Sequence, residues 1–444
     1  VILDEIHAVV SDKRGVFLMS AIERLTLICG EFQRIALSAT VHPLEKVAEY
    51  VGGYQIETFE GAVQYKARPV HVVSSTAVKK IQINIEGTHF SASEVKGEDV
   101  LWQTIADRIR DIIGQNRSTL VFVNNRRLAE RLSLYINENT GYPAVYSHHG
   151  SLSKELRLMV EKKLKNGELK GIVATSSLEM GIEVGYVDCV VLVQTPPQVS
   201  STLQRVGRAG HSIDRVSIGK IIPTHGMDFL NAAIMSNLAM NGSIEEVRLV
   251  YNPLDILAQV LLSMIGVDSW NIDNLYNFIK TCSSFSSLPK AQFDSVLIML
   301  AGKYQETRIR ELNPRIIIDP VDNTVYIRSG MLSLLYSNSG TIPDKGYYEL
   351  RVSGSDALIG ELDEEFVWER RTGDTFMIGT QSWKIEDIGD KAVKVSLYNG
   401  KASMSPFWKA EANNRSFHVS ESISAFLETW NNCIDSDEFK QVLN

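Results

Sequence analysis

Between residues 100 and 225, short apolar runs alternate with amphipathic stretches, and this alternation constrains the fold more than any other feature of the chain. The runs are T-L-V-F-V (119–123), A-V-Y-S-H (144–148), G-I-V-A-T (171–175), C-V-V-L-V-Q (189–194) and S-I-G-K-I-I-P (217–223). One intervening helix is legible in detail. Ser153 is its N-cap and Glu155 stands in its first turn. Leu156, Val160 and Leu164 share a face, lysines crowd the last turn, and Gly167 ends it. Strands alternating with helices imply an α/β fold whose parallel sheet is covered on both faces. Such sheets bind ligands at the carboxyl ends of their strands, where the polar residues of these runs fall.

Residues 1–60 read as part of a second sheet of the same kind. V-I-L ends at Asp4, and R-I-A-L (34–37) ends at Ser38-Ala39-Thr40. A D-E pair at a sheet edge can hold a hydrated Mg²⁺ and orient a water for attack on a phosphate. Alone, it reads equally as a solvated acidic turn. In Q-R-V-G-R-A-G (204–210) two arginines three apart suit phosphate recognition, because guanidinium groups stay charged and bind phosphate oxygens in a fork. In A-T-S-S-L-E-M-G-I (174–182) hydroxyls beside a helix start can receive a phosphate. Either stretch alone reads equally as a polar loop.

The totals narrow the class. A chain of 444 residues admits two to four domains. Cys29, Cys189, Cys282 and Cys433 are far apart, which argues against a disulfide framework or a clustered metal site and fits a reducing, cytoplasmic setting. No apolar run reaches the length of a membrane span, and no signal peptide is visible in these residues. The net charge of −8 argues weakly against a nucleic-acid partner. Residues 100–220, however, hold 16 Lys and Arg against 11 Asp and Glu, and local basicity governs phosphate binding.

Taken in order, D-E-I-H (4–7), S-A-T (38–40), F-V-N-N-R (122–126), H-H-G-S-L-S (148–153), A-T-S-S-L-E-M-G-I and Q-R-V-G-R-A-G resemble motifs II, III, IV, IVa, V and VI of a superfamily-2 DEAD/DEAH-type ATP-dependent helicase. The run L-E-M-G-I-E-V-G-Y-V-D, the histidine closing Q-R-V-G-R-A-G-H, and the later G-T-I-P-D (340–344), G-E-L-D-E-E-F-V (360–367), G-D-T-F (373–376) and P-F-W-K (406–409) resemble the Lhr, or large helicase-related, family. The resemblance implies tandem RecA-like domains, the first incomplete, followed by a winged-helix domain and a β-rich C-terminal domain. Residues 1–70 would be the C-terminal part of RecA-like domain 1. Residues 71–240 would be a linker and RecA-like domain 2, 241–335 the winged helix, and 336–444 the start of the β-rich domain. From the residues themselves, 253–266 read as a helix opening at Pro253 and stopped by Gly266. R-I-I-I-D and T-V-Y-I-R-S flank P-V-D-N as a hairpin, and 336–444 read as short strands with turns.

The resemblance also assigns residues. Asp4 would hold Mg²⁺ through water, and Glu5 would polarise the attacking water. His7 would couple the nucleotide site to Ser38 and Thr40, and to Gln204. Arg205 and Arg208 would reach the ATP triphosphate, whereas His211, where many relatives carry a third arginine, would not. Gly181 and Glu183 would lie at the nucleotide, Glu183 standing where many relatives have aspartate. Asn124, Arg126, His149, Gly150, Ser151, Thr175 and Ser176 would face a nucleic-acid backbone. Ile342 would be an apolar wedge between bases, and Trp408 a stacking platform where the bland reading is a core tryptophan. The implied activity is a monomeric 3′-to-5′ translocase on single-stranded DNA that unwinds DNA or RNA–DNA duplexes in repair, with no membrane partner. The alternatives are a nucleic-acid-binding module without ATPase activity, and an RNA helicase of the same superfamily. The phosphate loop G-x-x-x-x-G-K-[ST] occurs nowhere in these residues, so the expectation is an N-terminally truncated motor, inactive alone.

Overall fold

All five apolar runs are strands of one six-stranded, all-parallel sheet. Its order is Ile81–Ile85, Ser217–Ile222, Cys189–Val193, Thr119–Val123, Gly171–Ala174, Val145–His148. The computed structural model describes the chain apart from residues 60–61, 75–79, 88–97, 139–142, 180–185, 211–215, 304–312, 338–339, 343–345, 379–380, 401, 403–405, 407–414 and 434–444. Along Thr119–Val123 the side chains alternate between two cores. Leu120 and Phe122 enter one, and Val121 and Val123 the other. A parallel strand covered on both faces is apolar at every position, which is why these runs do not alternate in sequence. The crossover helices include Arg126–Asn137, capped by the Asn125 side chain, and Lys154–Lys165, capped by Ser153. Gly167 turns the chain away with φ of 73°, a conformation that suits a residue without Cβ.

The sheet belongs to the unit formed by Ser75–Glu245 and Lys345–Asn444, and a second unit is formed by Val1–Ser74 and Glu246–Asp344. In the first of these, residues 347–397 build a five-stranded sheet ordered Leu358–Asp363, Tyr347–Val352, Ala392–Leu397, Gln381–Ile388, Thr375–Ile378. The short strands expected there are present. The 17-residue helix Phe417–Cys433 was not expected. It packs on the helix Gly226–Met240, and Val419 and Ile423 complete one core of the parallel sheet. Only that long-range burial distinguishes its sequence from a polar tail. The edge strand Ile81–Ile85 likewise escaped notice, because its polar alternation reads as a linker.

In the other unit, Ile2–Leu3 pairs in parallel with Ile35–Ala36. The helix Lys13–Cys29 follows Asp12, whose side chain accepts from the Arg14 N–H. The helix Leu254–Ile265 and the hairpin Ile316–Asp319 with Thr324–Ile327 occupy the expected places, and the helices Ile272–Ile279 and Lys290–Leu300 stand between them. Trp270–Asn271 adds a third strand. A single core joins these late elements to residues 1–52: Val16, Met19, Tyr50 and Val51 pack in one cluster with Leu261, Met264, Phe285 and Phe293. A charged centre adds to it. Glu23, 2% exposed, receives Arg34 at 2.6 Å and Arg68 at 3.1 Å. Both arginines also donate to the Gly52 carbonyl, closing the end of the helix Leu44–Gly52. Among the described residues no helix is long and apolar enough to cross a membrane.

Phe285 is fully buried in the shared core. Phe285→Ala should cost about 3–5 kcal/mol. In native-state hydrogen exchange, Lys13–Cys29 and Leu254–Ile265 should lose protection together, while Arg126–Asn137 keeps its own. Separate responses of those two helices would refute a common core.

Candidate functional site

The D-E-I-H and S-A-T stretches meet through backbone pairing. Leu37 N–H donates to the Leu3 carbonyl at 2.8 Å, and Ile6 N–H donates to the Leu37 carbonyl at 3.0 Å. This lays Asp4–His7 alongside Ser38–Thr40. The His7 ring, 8% exposed, accepts the Ala39 N–H at Nδ1 (3.1 Å), with Ser38 Oγ at 3.4 Å and Glu5 Oε2 at 3.4 Å from the same nitrogen. Asp4, Ser38 and Thr40 are exposed, and Glu5 is half-buried. Glu5 has φ 52° and ψ 42°, a left-handed conformation that a non-glycine residue adopts at a cost of roughly 1–2 kcal/mol. Strain of this kind gathers at functional sites, where the surroundings hold a side chain in a set direction. An exposed carboxylate at the carboxyl end of a strand is the donor Mg²⁺ takes when most of its shell is water and phosphate. Asp4 and its neighbours therefore fit that ion.

At the carboxyl ends of the six-stranded sheet the polar residues form a linked set. Arg205, 5% exposed, lies on the helix Val199–Val206 and donates from Nε to Glu179 at 2.6 Å and from Nη1 to Asn124 Oδ1 at 3.0 Å. Its guanidinium also lies 5.5 Å from the Phe122 ring centroid. Ser201 donates to the same Glu179 oxygen at 2.9 Å, and Arg208 donates to the Glu179 carbonyl. Asn124 Nδ2 donates to the Thr195 carbonyl at 2.9 Å. Glu179 is thus the hub that ties Thr175–Glu179 to 201–208. It stands inside a stretch that the sequence analysis quoted but was not itself singled out. The signal was available: one carboxylate among hydroxyls, facing a segment with two arginines.

Several assignments need correction. Arg205 was expected to reach a triphosphate; its guanidinium is spent inside its own unit, because burial demands that its donors be paired. His149 was expected to face nucleic acid. Its ring is fully buried, 2.7 Å from Glu130, and Ser147 donates to that carboxylate at 3.0 Å. Ser151, 1% exposed, and Thr175 also lie inward, Ser151 accepting a hydrogen bond from Arg126. Gly150 and Ser176 are exposed, Asn124, Arg126, Gln204 and Arg208 are half-buried. Ile342 is exposed, with Gln259 accepting its N–H at 3.4 Å and donating to the Gly340 carbonyl at 2.9 Å. Gly181, Glu183, His211 and Trp408 lie outside the described residues. Glu130 went unnoticed because an acid on an amphipathic helix normally faces water.

The neighbouring His148 is buried, bridging Glu161 at 2.9 Å and Ser177 at 2.8 Å. Burial holds its pKa below the ordinary histidine value, against the opposing pull of Glu161.

With this geometry in place, comparison with known proteins is specific. A family model described as "Large helicase-related protein, winged helix domain" matches residues 238–405, and one described as "Helicase conserved C-terminal domain" matches 104–212. The chain belongs to the Lhr family of helicases. It is 35% identical to the "ATP-dependent helicase Lhr-Core" of Methanothermobacter thermautotrophicus, over 96% of this chain and 49% of that protein. It is also 35% identical to the "Lhr helicase/ probable uracil glycosylase" of Mycolicibacterium smegmatis, over 96% of this chain and 30% of that one. The solved structure of Mycobacterium smegmatis helicase Lhr bound to ssDNA and AMP-PNP is 34% identical with a TM-score of 0.68, covering 86% of this chain and 48% of that one. The chain therefore spans half or less of the length of these relatives. The α/β architecture with a helicase C-terminal domain, a winged-helix domain and a β-rich part agrees with the sequence reading.

Two outcomes follow. Glu179→Ala leaves the buried Arg205 uncompensated and should cost about 3–5 kcal/mol, read from urea unfolding; a loss under 1 kcal/mol would show that the hub is slack. For His148, the unfolded ring titrates near 6.5 and the folded ring lower. Between those values the unfolded chain binds the extra proton, so stability falls as pH drops below about 6.5. The urea midpoint of His148→Gln should change less between pH 7.5 and 5.5 than that of the unaltered chain.

Proposed function

We propose that this chain is part of an ATP-dependent nucleic-acid motor of the Lhr type, a monomer in the cytoplasm that translocates 3′ to 5′ on single-stranded DNA. It would unwind DNA or RNA–DNA duplexes in repair. The observation that carries this reading is the junction of Asp4–His7 with Ser38–Thr40. There a strained Glu5, a pinned His7 and an exposed Asp4 share one sheet edge. A solvated acidic turn has no need of a left-handed glutamate or of a histidine accepting a backbone N–H from beyond the neighbouring strand.

In this reading Mg²⁺ supplies charge neutralisation at the phosphates when bound, and Asp4 holds it through water. Glu5 orients the attacking water and takes its proton. His7 accepts the Ala39 N–H and so keeps the 38–40 segment in register with Glu5. Arg208, half-buried and donating to the Glu179 carbonyl, is the arginine proposed to meet a phosphate. Exposed Gly150 and Ser176, half-buried Asn124 and Arg126, and exposed Ile342 are proposed to meet the nucleic acid. Backbone contacts of this sort grip without choosing sequence. The relatives named ATP-dependent helicase Lhr-Core, and the Lhr structure with ssDNA and AMP-PNP, support the proposal. RNA in place of DNA is the second outcome to test, because backbone contacts are common to both.

The test is phosphate release, with and without single-stranded DNA or RNA, by the natural product that contains this chain. DNA should stimulate hydrolysis, and Glu5→Gln should reduce it by about a hundredfold or more. Hydrolysis indifferent to Glu5→Gln would remove Glu5 from the chemistry. Stimulation by RNA alone would change the substrate, and nucleic-acid binding with no hydrolysis would leave a binding module.

A further inference from the structure

The five-stranded sheet has an outer edge, the strand Leu358–Asp363, paired on one side only within that sheet. An open edge of this kind is a row of unpaired backbone groups that proteins usually cover. Here its cover is the turn that carries His149-Gly150-Ser151. Glu361 N–H donates to the Ser151 carbonyl at 2.7 Å, Ser153 N–H donates to the Ile359 carbonyl at 2.8 Å, and Leu152 sits opposite Gly360 as an antiparallel bridge. That bridge is of the close, non-hydrogen-bonded type, where facing residues approach most nearly. A Cβ on Gly360 would meet the Ser151 carbonyl oxygen at 2.0 Å, so the contact requires glycine there. Leu152 then enters the core of the five-stranded sheet with Leu350, Leu362 and Phe366. From the same sheet Tyr347 lies under Arg126, 5.9 Å from guanidinium carbon to ring centroid, and Arg126 donates to Ser151.

We infer that the Leu358–Asp363 edge is a positioning element for nucleic-acid binding. By pairing with residues 151–153 it sets the turn that exposes Gly150 and, through Tyr347, the direction of Arg126. The β-rich region then templates the grip of the parallel-sheet domain and travels with it. This inference rests on the reading above that Gly150 and Arg126 meet nucleic acid, and Gly360 acts through them without touching the ligand.

The experiment uses the full natural product and two substitutions. Gly360→Val forces Ser151 away. Glu361→Pro removes the N–H given to Ser151; that N–H points out of the sheet, and proline is tolerated at such an edge position. Hydrogen exchange reads the pairing, and a fluorescent single-stranded oligonucleotide reads affinity. In both variants the Ser153 amide should lose protection while amides of Gln381–Ile388 and Ala392–Leu397 keep theirs, which reports an intact sheet. Affinity for the oligonucleotide should fall by about tenfold. Ser153 protection unchanged in both variants would refute the pairing. Protection lost with affinity unchanged would refute the positioning role alone. Failure of the unaltered protein to bind any single strand would instead sink the underlying nucleic-acid reading, and this inference with it.

Discussion

Burial of both faces of the six-stranded sheet governs the rest of its unit. With helices on each side, the strands Thr119–Val123, Gly171–Ala174 and Cys189–Val193 are buried throughout and apolar beyond their first residues, because an unpaired polar group there is costly. Hydrogen-bonding chemistry is therefore pushed to where the strands stop. At the carboxyl ends stand Asn124, His148, Thr175 and Gln194, the last with a left-handed φ of 67° that ends the strand sharply. The concentration of motif residues at one edge follows from that exclusion. The same holds on a smaller scale where Ile2–Leu3 runs into Asp4 and Glu5.

Three buried or nearly buried carboxylates organise the surroundings. Glu23 gathers Arg34 and Arg68, Glu130 holds His149 and Ser147, and Glu179 holds Arg205 and Ser201. Such groups add little net stability over an apolar replacement, yet removing one partner leaves an uncompensated charge. Their value here is orientation. Glu179 fixes where the 201–208 segment stands relative to Thr175–Glu179, and Glu130 holds Ser147 and His149, just ahead of Gly150. Sequence motifs that look like a set of ligand-binding side chains are in part the means by which the ligand-facing segments are held.

Shared cores connect distant stretches of chain. Leu261, Met264 and Phe285 pack with Val16 and Tyr50, Leu152 packs with strands that begin two hundred residues later, and Val419 with Ile423 closes the sheet's second layer. The elements were mostly visible from local pattern, while their grouping was not. Nothing in the helix 254–265 states that its apolar face meets residues 1–52 rather than its own hairpin alone.

Local spacing determined the five parallel strands, the helix 154–165 with its Ser153 cap and the hairpin at 316–327, because each rests on contacts between residues near in sequence or on burial of whole runs. The tertiary structure alone decided that His149, Ser151 and Arg205 turn inward, that Glu5 sits in a left-handed conformation, and that residues 417–433 are a helix. The reason is physical. A motif names residue types, but the direction of a side chain is set by whichever partner, Glu130, Glu179 or the Leu358–Asp363 edge, arrives from elsewhere in the chain to satisfy it.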